Sequence, residues 1–497
     1  MAKYIMAIDQ GTTQTKVSLV DCQGNMICSA NKEIRQIYRK PGWVEHDPME
    51  YWRNVIACAK QLFSEQNQAK QEDILAVAIT NQRETVIMWD RVTSKPVYNA
   101  IVWQCRRTVS ICEKLQASGW EKEVRKRTGL FLDPYFSGTK IKWIIDNVKG
   151  VKESIKNRRL VVGCVDSWLI WHLSQGKLHV TDYSNASRTM LFNVRNLCWD
   201  NLLLNLLEIP RGILPEVKPS SGILGYTNPR SFLGIRVPIA SVVGDAHAAL
   251  FGQTCFSPGM TKVTYGTGLT VMLNIGDKFI LSKNGLMTDL TWYVNGKVQY
   301  CLEGVAFNGG AAIQWLRDGL KVIRSVSETN EIAKLVPDTG GVYVVPAFTG
   351  LCAPYWDTYA RGIIIGITRG TTREHIIRAT LESLAYRTRD IIDAMSSDSG
   401  IVPQTIIVDG GAANNDFLMQ FQADILGVAV LRPKNTEAAS IGTAYLAGLA
   451  MGFWKNKKEI EKKRNIERTF EPKLPKNKRD KLYYNWKRAV ERSLSWV

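Results

Sequence analysis

Residues 4–13 read YIMAIDQGTT, an apolar run that ends in a carboxylate, a glycine and two threonines. An apolar run followed by a glycine turn predicts a buried β-strand and a tight loop. Two further runs, residues 17–20 and 26–28, follow after turn-forming residues, so the N-terminus predicts a β-meander. In such a loop, glycine lets backbone N–H groups approach a phosphate, and the threonine hydroxyls add donors. Asp9, at the strand end, is in position to hold Mg²⁺, usually through water.

The next elements predict an α/β fold. Asp47 and Pro48 have the residue types of a helix N-cap and first helical position, and apolar residues recur after them at helical spacing. They predict a helix of about 18 residues. Residues 74–80 read ILAVAIT, which predicts a further buried strand.

The second half of the chain repeats this pattern. Residues 260–268 predict a strand and a second glycine loop, Gly266-Thr267-Gly268. Residues 304–316 and 375–395 are interpreted as helices, and residues 405–408 as a strand before another glycine turn. Because 497 residues exceed one ordinary core, we expect two domains, residues 1–251 and 252–497, on either side of a cleft. One phosphate loop from each half would then bind a polyphosphate.

Composition excludes several classes of protein. The N-terminus has no signal-peptide pattern and no run of about 18 apolar residues occurs, so we expect a cytoplasmic protein without a membrane span. Ten cysteines are scattered without CxxC pairs, which indicates neither a disulfide framework nor a structural zinc site. The net charge of +18 is typical of nucleic-acid binding, but the basic C-terminal region is interleaved with acids and is interpreted as a solvated helical surface.

Three further motifs place polar side chains or glycines directly after predicted strands. Arg83 and Glu84 follow the strand at 74–80 and can bind hydroxyl groups, although a surface loop has the same composition. Asp245 ends the apolar run 238–243, a good position for a base that takes a hydroxyl proton. Gly410 and Gly411 would let a flat adenine lie close to the backbone, and an ordinary strand-to-helix turn is the alternative.

Taken together, these motifs resemble the FGGY family of carbohydrate kinases over essentially the whole chain. Residues 135–147, YFSGTKIKWIIDN, are similar to the first family signature. Residues 362–367, followed by His375 and residues 379–382 at the expected distance, are similar to the second. Further stretches, residues 41–47, 103–107 and 181–188, resemble the branch of the family that acts on glycerol.

The resemblance implies two actin-like (ribonuclease H-like) ATPase domains that flank a nucleotide and substrate cleft. It implies ATP and Mg²⁺ as cofactors, with Asp9 as the magnesium-associated carboxylate and Asp245 as the general base. The polyol positions that it implies are Arg83, Glu84, Trp103, Tyr135, Asp245, Ala246 and Thr270. The nucleotide positions that it implies are Thr12, Thr13, Gln14, Lys16, Thr267, Gly310, Gln314, Gly411 and Asn415.

Three of these positions depart from the family pattern. Lys16 stands where arginine is usual, Ala246 where a substrate-binding glutamine is usual, and Thr270 where a phenylalanine closes the pocket. Loss of a hydrogen bond costs about 0.5–1.5 kcal/mol, and loss of a buried aromatic contact about 1.5–3 kcal/mol. The resemblance as a whole predicts ATP-dependent phosphorylation of a terminal hydroxyl of a small polyol, with glycerol as the first candidate. The alternative substrate is a longer polyol such as erythritol or xylitol.

Two other classes of protein share part of this sequence pattern. An actin-like nucleotide-dependent switch would share the phosphate loops but would not need Arg83, Glu84, Tyr135 and Asp245 together. A nucleic-acid-binding module explains neither long signature. We therefore expect a small polyol and ATP as partners, no nucleic acid and no membrane, with a homo-oligomer possible.

Overall fold

The computed structural model describes residues 3–63, 70–435 and 437–497, and strands and helices occur along the whole of this length. The strands before residue 252 are β1 Tyr4–Gln10, β2 Gln14–Val20, β3 Met26–Glu33, β4 Glu45–His46, β5 Ile74–Asn81, β6 Ile87–Asp90, β7 Ala100–Ile101, β8 Leu160–Gly163, β9 Val180–Asp182, β10 Phe192–Asn193, β11 Cys198–Trp199, β12 Glu216–Lys218, β13 Ser221–Tyr226 and β14 Pro238–Gly244. The helices of this part are α1 Pro48–Leu62, α2 Val109–Ala117, α3 Glu121–Thr128, α4 Ser137–Asn147, α5 Val151–Lys156, α6 Val165–Leu173, α7 Tyr183–Ser187, α8 Asn201–Leu206 and α9 Asp245–Gly252.

The second half continues in the same way. Its strands are β15 Thr261–Tyr265, β16 Leu269–Gly276, β17 Met287–Val294, β18 Lys297–Ala306, β19 Tyr343–Val345, β20 Ile363–Ile365, β21 Thr405–Asp409, β22 Ala429–Pro433 and β23 Ile466–Phe470. Its helices are α10 Gly310–Asp318, α11 Thr329–Ile332, α12 Arg373–Ser399, α13 Asp416–Leu426, α14 Ala438–Met451, α15 Lys457–Glu461 and α16 Lys476–Ser493.

Local signals placed most of the predicted elements correctly. The meander is present as β1, β2 and β3, paired antiparallel. Asp47 accepts a hydrogen bond from the Met49 backbone N–H at 2.9 Å, so the predicted N-cap starts α1, which ends at Leu62 after 15 residues. The predicted strands at 74–80, 260–268 and 405–408 and the helix at 375–395 are confirmed as β5, β15, β21 and part of α12.

The helix predicted over residues 304–316 is wrong at its start. Residues up to Ala306 belong to β18, which pairs with β16 and β17, and the helix α10 begins only at Gly310. Gly304 faces α12, where an added Cβ would lie 2.3 Å from the Ile391 side chain. Pairing with distant strands and this close packing outweigh the local helical pattern of the segment.

Two large sheets carry the fold. The first has the strand order β13-β14-β5-β1-β2-β3, and the second β17-β18-β16-β15-β21-β22-β23. From β3 to β13 the successive pairs run antiparallel, antiparallel, parallel, parallel and antiparallel. The pairs from β18 to β23 repeat that order. The predicted duplication of an α/β unit is therefore visible in strand pairing, with β17 as an added edge strand.

Both faces of the first sheet are covered. Met6 and Ile8 pack into a cluster with α1 and α6, whereas Ile5 and Ala7 pack into a cluster with α9 and α14. Successive side chains of a strand point to opposite faces, so a strand buried on both faces is apolar throughout. This explains the uninterrupted apolar run from Ile5 to Ile8 within β1.

Helix α14 of the second half packs against α9 and against the first sheet. The contact is close because glycine lies on both helices. A Cβ at Gly442 would lie 1.8 Å from the Ala248 backbone oxygen, and one at Gly252 would lie 2.1 Å from the Ala438 oxygen. Backbone-to-backbone contact of this kind needs glycine, and it holds the two halves together beside the strand ends that carry Asp9 and Asp245.

The helices and the cysteines bear on the expectations drawn from composition. Within residues 3–63, 70–435 and 437–497, no helix is both long and apolar enough to cross a membrane. All ten cysteines lie in the described residues and are free thiols.

Candidate active site

The carboxyl ends of three parallel strands bring the predicted catalytic residues to one edge of the first sheet. Strand β5 pairs in parallel with β1 on one side and with β14 on the other. Asp9 lies opposite Thr80, and Gly244, just before Asp245, lies opposite Asn81. Ligands of open α/β sheets bind outside this carboxyl edge. Asp9, the loop after β5 and Asp245 therefore share one cleft edge.

Asp245 begins α9 and is held through one oxygen. Its Oδ1 accepts a hydrogen bond from the Ala246 backbone N–H at 2.7 Å and lies 3.3 Å from Nε of Arg83. These contacts leave Oδ2 for a substrate, and 40% of the side chain is accessible. Burial by the cleft walls raises the pKa of Asp245, and the positive charge of Arg83 opposes that rise. A carboxylate with a raised pKa suits a group that accepts a proton.

Asp9 lies close enough to Asp245 for their charges to interact. Burial raises the pKa of Asp9 to about 7, the Asp245 charge adds to the rise, and a hydrogen bond from Ser440 opposes it. Ser440 donates to Oδ2 at 3.0 Å and comes from α14, so both halves of the chain contribute to this point. A bound cation would favour the ionised form of Asp9.

Arg83 links the two halves across the cleft. Its guanidinium donates to both oxygens of Glu303 on β18, at 3.0 and 2.8 Å, while its Nε faces Asp245. Although burial opposes ionisation, Arg188 and Arg83 hold the pKa of Glu303 well below its usual range. This two-point contact fixes the plane of the Arg83 guanidinium. Asp245 is thereby positioned by a residue that is itself fixed by the second half of the chain.

Glu84 is buried and has a φ of 60°, an uncommon conformation for a residue with a side chain. Arg188 contacts the Glu84 carboxylate through Nε and donates through Nη1 to Glu303 at 2.8 Å and to both oxygens of Asp289 at 2.8 Å. Burial raises the pKa of Glu84, and the guanidinium groups of Arg188 and Arg83 oppose that rise. Backbone strain persists where surrounding contacts fix it, and such positions concentrate at functional sites.

A buried lysine forms hydrogen bonds to the loops that carry Glu84 and Tyr135. Lys140, on α4, donates to the backbone oxygens of Tyr135, of Phe136 at 3.2 Å and of Glu84 at 3.5 Å. Burial lowers the pKa of Lys140 to about 8. Its three carbonyl partners come from two loops, so Lys140 ties the loop of Glu84 to that of Tyr135.

The two predicted aromatic residues of the polyol side face each other. The rings of Trp103 and Tyr135 lie 5.5 Å apart, nearly perpendicular, and the Arg188 guanidinium lies 5.3 Å from the Tyr135 ring centre. Trp103 also donates through Nε1 to the Thr12 hydroxyl at 2.9 Å. The indole therefore connects Tyr135 to the glycine loop that carries Thr12.

Thr12 belongs to a closed ring of hydrogen bonds. Its hydroxyl donates to Gln82 at 3.2 Å, Gln82 donates to the Tyr51 hydroxyl at 3.2 Å, and Tyr51 contacts His46 Nδ1 at 2.5 Å. His46 Nε2 contacts Gln36 at 2.8 Å, and Gln36 donates back to the Thr12 backbone oxygen at 3.0 Å. Burial lowers the pKa of His46 to about 4, so its imidazole is neutral at pH 7. This network fixes the hydroxyl and the backbone oxygen of Thr12.

We expect Tyr51→Phe to raise KM for the nucleotide substrate by about five- to a hundredfold, because one missing hydroxyl leaves buried partners that cost about 1–3 kcal/mol. The KM for the hydroxyl-bearing substrate should change less than threefold, which corresponds to a free-energy difference below about 0.6 kcal/mol. Steady-state kinetics with each substrate varied in turn measures both constants. Tyr38→Phe, at a largely exposed tyrosine, is the control. Equal changes in both KM values would contradict a role confined to the phosphate loop.

The second glycine loop packs against the start of α10. Gly309 and Gly310 donate backbone N–H groups to the Thr267 and Gly266 oxygens at 2.9 and 2.7 Å. These N–H groups are therefore used within the protein, which leaves the exposed Thr267 side chain and the loop backbone for a phosphate. Gly310 and Gln314 follow each other at one-turn spacing on α10, and Gln314 is exposed.

The remaining positions predicted to bind the nucleotide differ in whether their side chains already have partners within the protein. Gly411 has open space where a Cβ would lie, as a site for a flat ring requires. Asn415 caps α13, accepting from the Leu418 N–H at 2.9 Å and donating to Thr329 at 3.0 Å, so a structural role already accounts for its side chain. Lys16 forms a 2.6 Å ion pair with Glu437. The side chain of Gln14 accepts from Asn31 at 3.0 Å, and Thr13 is exposed.

The roles of Ala246 and Thr270 in binding a polyol stay predictions. Ala246 is half-buried and packs against the cluster between α9 and α14. Thr270 lies in β16, paired with Thr264 and Val305.

Sequence reasoning missed Glu303, Arg188, Gln82 and Lys140 as site residues. Glu303 is a single charge in an apolar strand, which signals a buried group that needs a partner. That signal was hidden because the segment after it was interpreted as a helix. Arg188 lay in a stretch that carried resemblance but no assigned role, and only the fold shows that it contacts Glu84.

Comparison with known proteins identifies the family. Residues 4–252 match the N-terminal domain model of the FGGY family of carbohydrate kinases, and residues 261–451 match its C-terminal domain model. The chain belongs to the FGGY family of carbohydrate kinases. Its fold is the two-domain, actin-like ATPase architecture of that family, as the resemblance implied.

Relatives of this FGGY kinase match it over the full length. The glycerol kinase of Caldanaerobacter subterraneus subsp. tengcongensis is 59% identical over 497 residues, covering 100% of each chain. Glycerol kinase 2 of Thermotoga maritima is 58% identical over 494 residues, covering 99% of each. The crystal structure of Plasmodium falciparum glycerol kinase with ADP is 36% identical, with a TM-score of 0.93 over 99% of this chain and 98% of that one. Gluconate kinase from Lactobacillus acidophilus, at 22% identity and a TM-score of 0.88 over 99% of each chain, shares the fold.

Proposed function

We propose that this FGGY kinase transfers the γ-phosphoryl group of ATP to a terminal hydroxyl of glycerol, giving glycerol 3-phosphate and ADP. The observation that carries the proposal is the meeting of Asp245, Asp9 and Arg83 at one cleft edge, where Asp245 keeps one oxygen for a substrate. Full-length relatives at 55–59% identity that are named glycerol kinases support glycerol as the polyol.

The longer-polyol alternative is not favoured. Its motivation was the space left by Ala246 and Thr270, yet Ala246 packs against the α9–α14 cluster and Thr270 lies within a paired strand. The groups that would bind a diol, Arg83 and Glu84, are fixed by Glu303 and Arg188.

Asp9 fits the magnesium-associated role. Ser440 occupies one of its oxygens, so the other is available to hydrated Mg²⁺. When bound, Mg²⁺ would neutralise negative charge on the β- and γ-phosphates. The nucleotide phosphates would lie between Thr12, Thr13, Gln14 and Lys16 of the first loop and Thr267 of the second. The adenosine would lie at Gly310, Gln314, Gly411 and Asn415.

The chain's own residues then perform the transfer. Arg83 and Glu84 bind the glycerol hydroxyls, while Trp103 and Tyr135 pack against its carbons and restrict its position. Asp245 accepts the proton of the terminal hydroxyl as that oxygen bonds to the γ-phosphorus and the bond to the β-γ bridging oxygen breaks. Closure of the two halves around the substrates excludes water, which would otherwise compete as a nucleophile.

We expect glycerol to show a kcat/KM at least about tenfold above that of erythritol or xylitol, since one misfitted group in a pocket costs about 1–3 kcal/mol. A coupled ADP-release assay with saturating Mg²⁺-ATP measures the three values, and phosphorus NMR identifies the product. A higher value for a longer polyol would overturn glycerol as the substrate but keep the kinase. ADP release that no polyol stimulates would overturn the kinase itself.

A further inference from the structure

Behind the Arg83–Glu303 pair, the fold collects three side chains that are distant in sequence. His247 lies on α9, Asp289 on β17 and Cys301 on β18, and all three are fully buried. Their potential ligand atoms, one nitrogen, one oxygen and one sulfur, all lie within 4.8 Å of one another. Asp289 and Cys301 face each other as partners in the β17–β18 pairing. The sequence indicated no zinc site because these residues show no short-range spacing.

His247 has no hydrogen-bond partner at either ring nitrogen, although neither is accessible to solvent. A buried polar group without a partner costs about 1–3 kcal/mol, so native structures leave few of them, and an ion or a water often explains those that remain. Burial, with nearby Arg83, lowers the pKa of His247 well below its usual range, so the ring is neutral. Neutral imidazole is the form that binds metals.

The charges around the cluster do not oppose a divalent cation. Arg83 and Arg188 pair with the carboxylates of Glu84, Asp289 and Glu303. Burial raises the pKa of Asp289 to about 8 and that of Cys301 well above its usual range. A divalent ion that displaces one proton from each of these two groups adds no net charge to the cluster.

We propose that His247, Asp289 and Cys301 bind one divalent metal ion of the zinc class. Imidazole, carboxylate and thiolate are the ligand types of tetrahedral zinc sites, and three protein ligands leave a fourth position. The Asp289 oxygens both accept from Arg188 Nη1, but a carboxylate has about four lone-pair sites, so each oxygen can still bind a metal. This site is separate from the phosphate-associated position at Asp9.

Such an ion would act as a positioning group for the polyol site. It would join α9, which starts with Asp245, to β18, which carries Glu303 two residues after Cys301 on the same face of the strand. Glu303 in turn holds Arg83. The inference does not depend on the proposed substrate, because metal binding is measured without turnover.

The test uses the full-length protein stripped of metal by a chelator under reducing, anaerobic conditions. Zn²⁺ is then added and bound metal is measured by mass spectrometry after gel filtration, with Co²⁺ as a spectroscopic probe of the thiolate. We expect one equivalent of either metal, a thiolate-to-cobalt charge-transfer band, and a rise in Tm with added Zn²⁺. No bound metal and no change in Tm would overturn the proposal.

Three variants separate this site from other binding. Cys301→Ser should abolish the charge-transfer band, whereas Cys255→Ser, at another buried free thiol, should keep it. His247→Phe should lose the Zn²⁺-dependent rise in Tm. In chelator the same change should keep or raise Tm, because it removes two unpartnered nitrogens, so a lost Zn²⁺ response would not reflect unfolding. Metal that is retained in both Cys301→Ser and His247→Phe would place the ion elsewhere and overturn the proposal.

Discussion

Asp245→Asn is expected to lower kcat by about a hundred- to ten-thousandfold, the usual contribution of a positioned general base. The amide keeps the shape of the carboxylate and can still accept from the Ala246 N–H, but it cannot take the hydroxyl proton. Because Asp245 does not belong to the phosphate loops, KM for ATP should stay within about threefold of wild type. Steady-state kinetics with glycerol and Mg²⁺-ATP measures both. Retention of more than about a tenth of kcat would rule out Asp245 as the base.

The pH dependence distinguishes loss of the base from general damage. The cleft raises the pKa of Asp245, so the base becomes protonated, and the wild-type kcat/KM falls, at a higher pH than an ordinary carboxyl would give. This acid limb should be absent from the residual activity of Asp245→Asn. Asp9→Asn serves as the contrast, because it should change the Mg²⁺ requirement while the Asp245 variant keeps that of wild type. A limb that persists unchanged in Asp245→Asn belongs to another group.

Local signals explain why much of the fold was predictable. The N-cap at Asp47, the glycine loop after Asp9 and the apolar strand before Asp245 are each encoded within a few residues, and each appears where it was predicted. The strand β18 was missed in part because its end is defined by pairing with β16, more than 25 residues away in the chain, rather than by its own pattern. The domain boundary near residue 252 stays a prediction.

The site was predictable only as far as it rests on the ends of strands. Arg83 and Asp245 could each be placed at the end of a strand, because both follow apolar segments that end in polar residues. The partner that fixes Arg83, Glu303, is 220 residues away in sequence, so no spacing within a motif could connect them. The ring around Thr12 was likewise hidden, since it joins side chains from four separate segments.

Arg188→Met is expected to destabilise the protein by about 3–5 kcal/mol, because removing one partner of a buried ion cluster leaves unpaired charge. Arg188 is fully buried, and its guanidinium contacts the carboxylates of Glu84, Asp289 and Glu303. Methionine fills much of the same volume, so packing loss alone predicts a smaller effect. The shift of the urea unfolding midpoint, with the slope checked for change, measures it. Activity should also fall, because Glu84 loses the group that orients it.

The sign of the pH dependence tests whether charge is the cause. Without Arg188 the buried carboxylates favour protonation in the folded state, so their folded pKa values lie above those of the unfolded chain. The folded variant then binds more protons than the unfolded chain, and its stability relative to wild type falls as pH rises above the ordinary carboxyl range. The deficit should therefore be smaller at about pH 5 than at about pH 8. Arg188→Met combined with Asp289→Asn removes one of the unpaired charges and should recover part of the loss. A deficit that is independent of pH and unaffected by Asp289→Asn would assign Arg188 to packing rather than to charge.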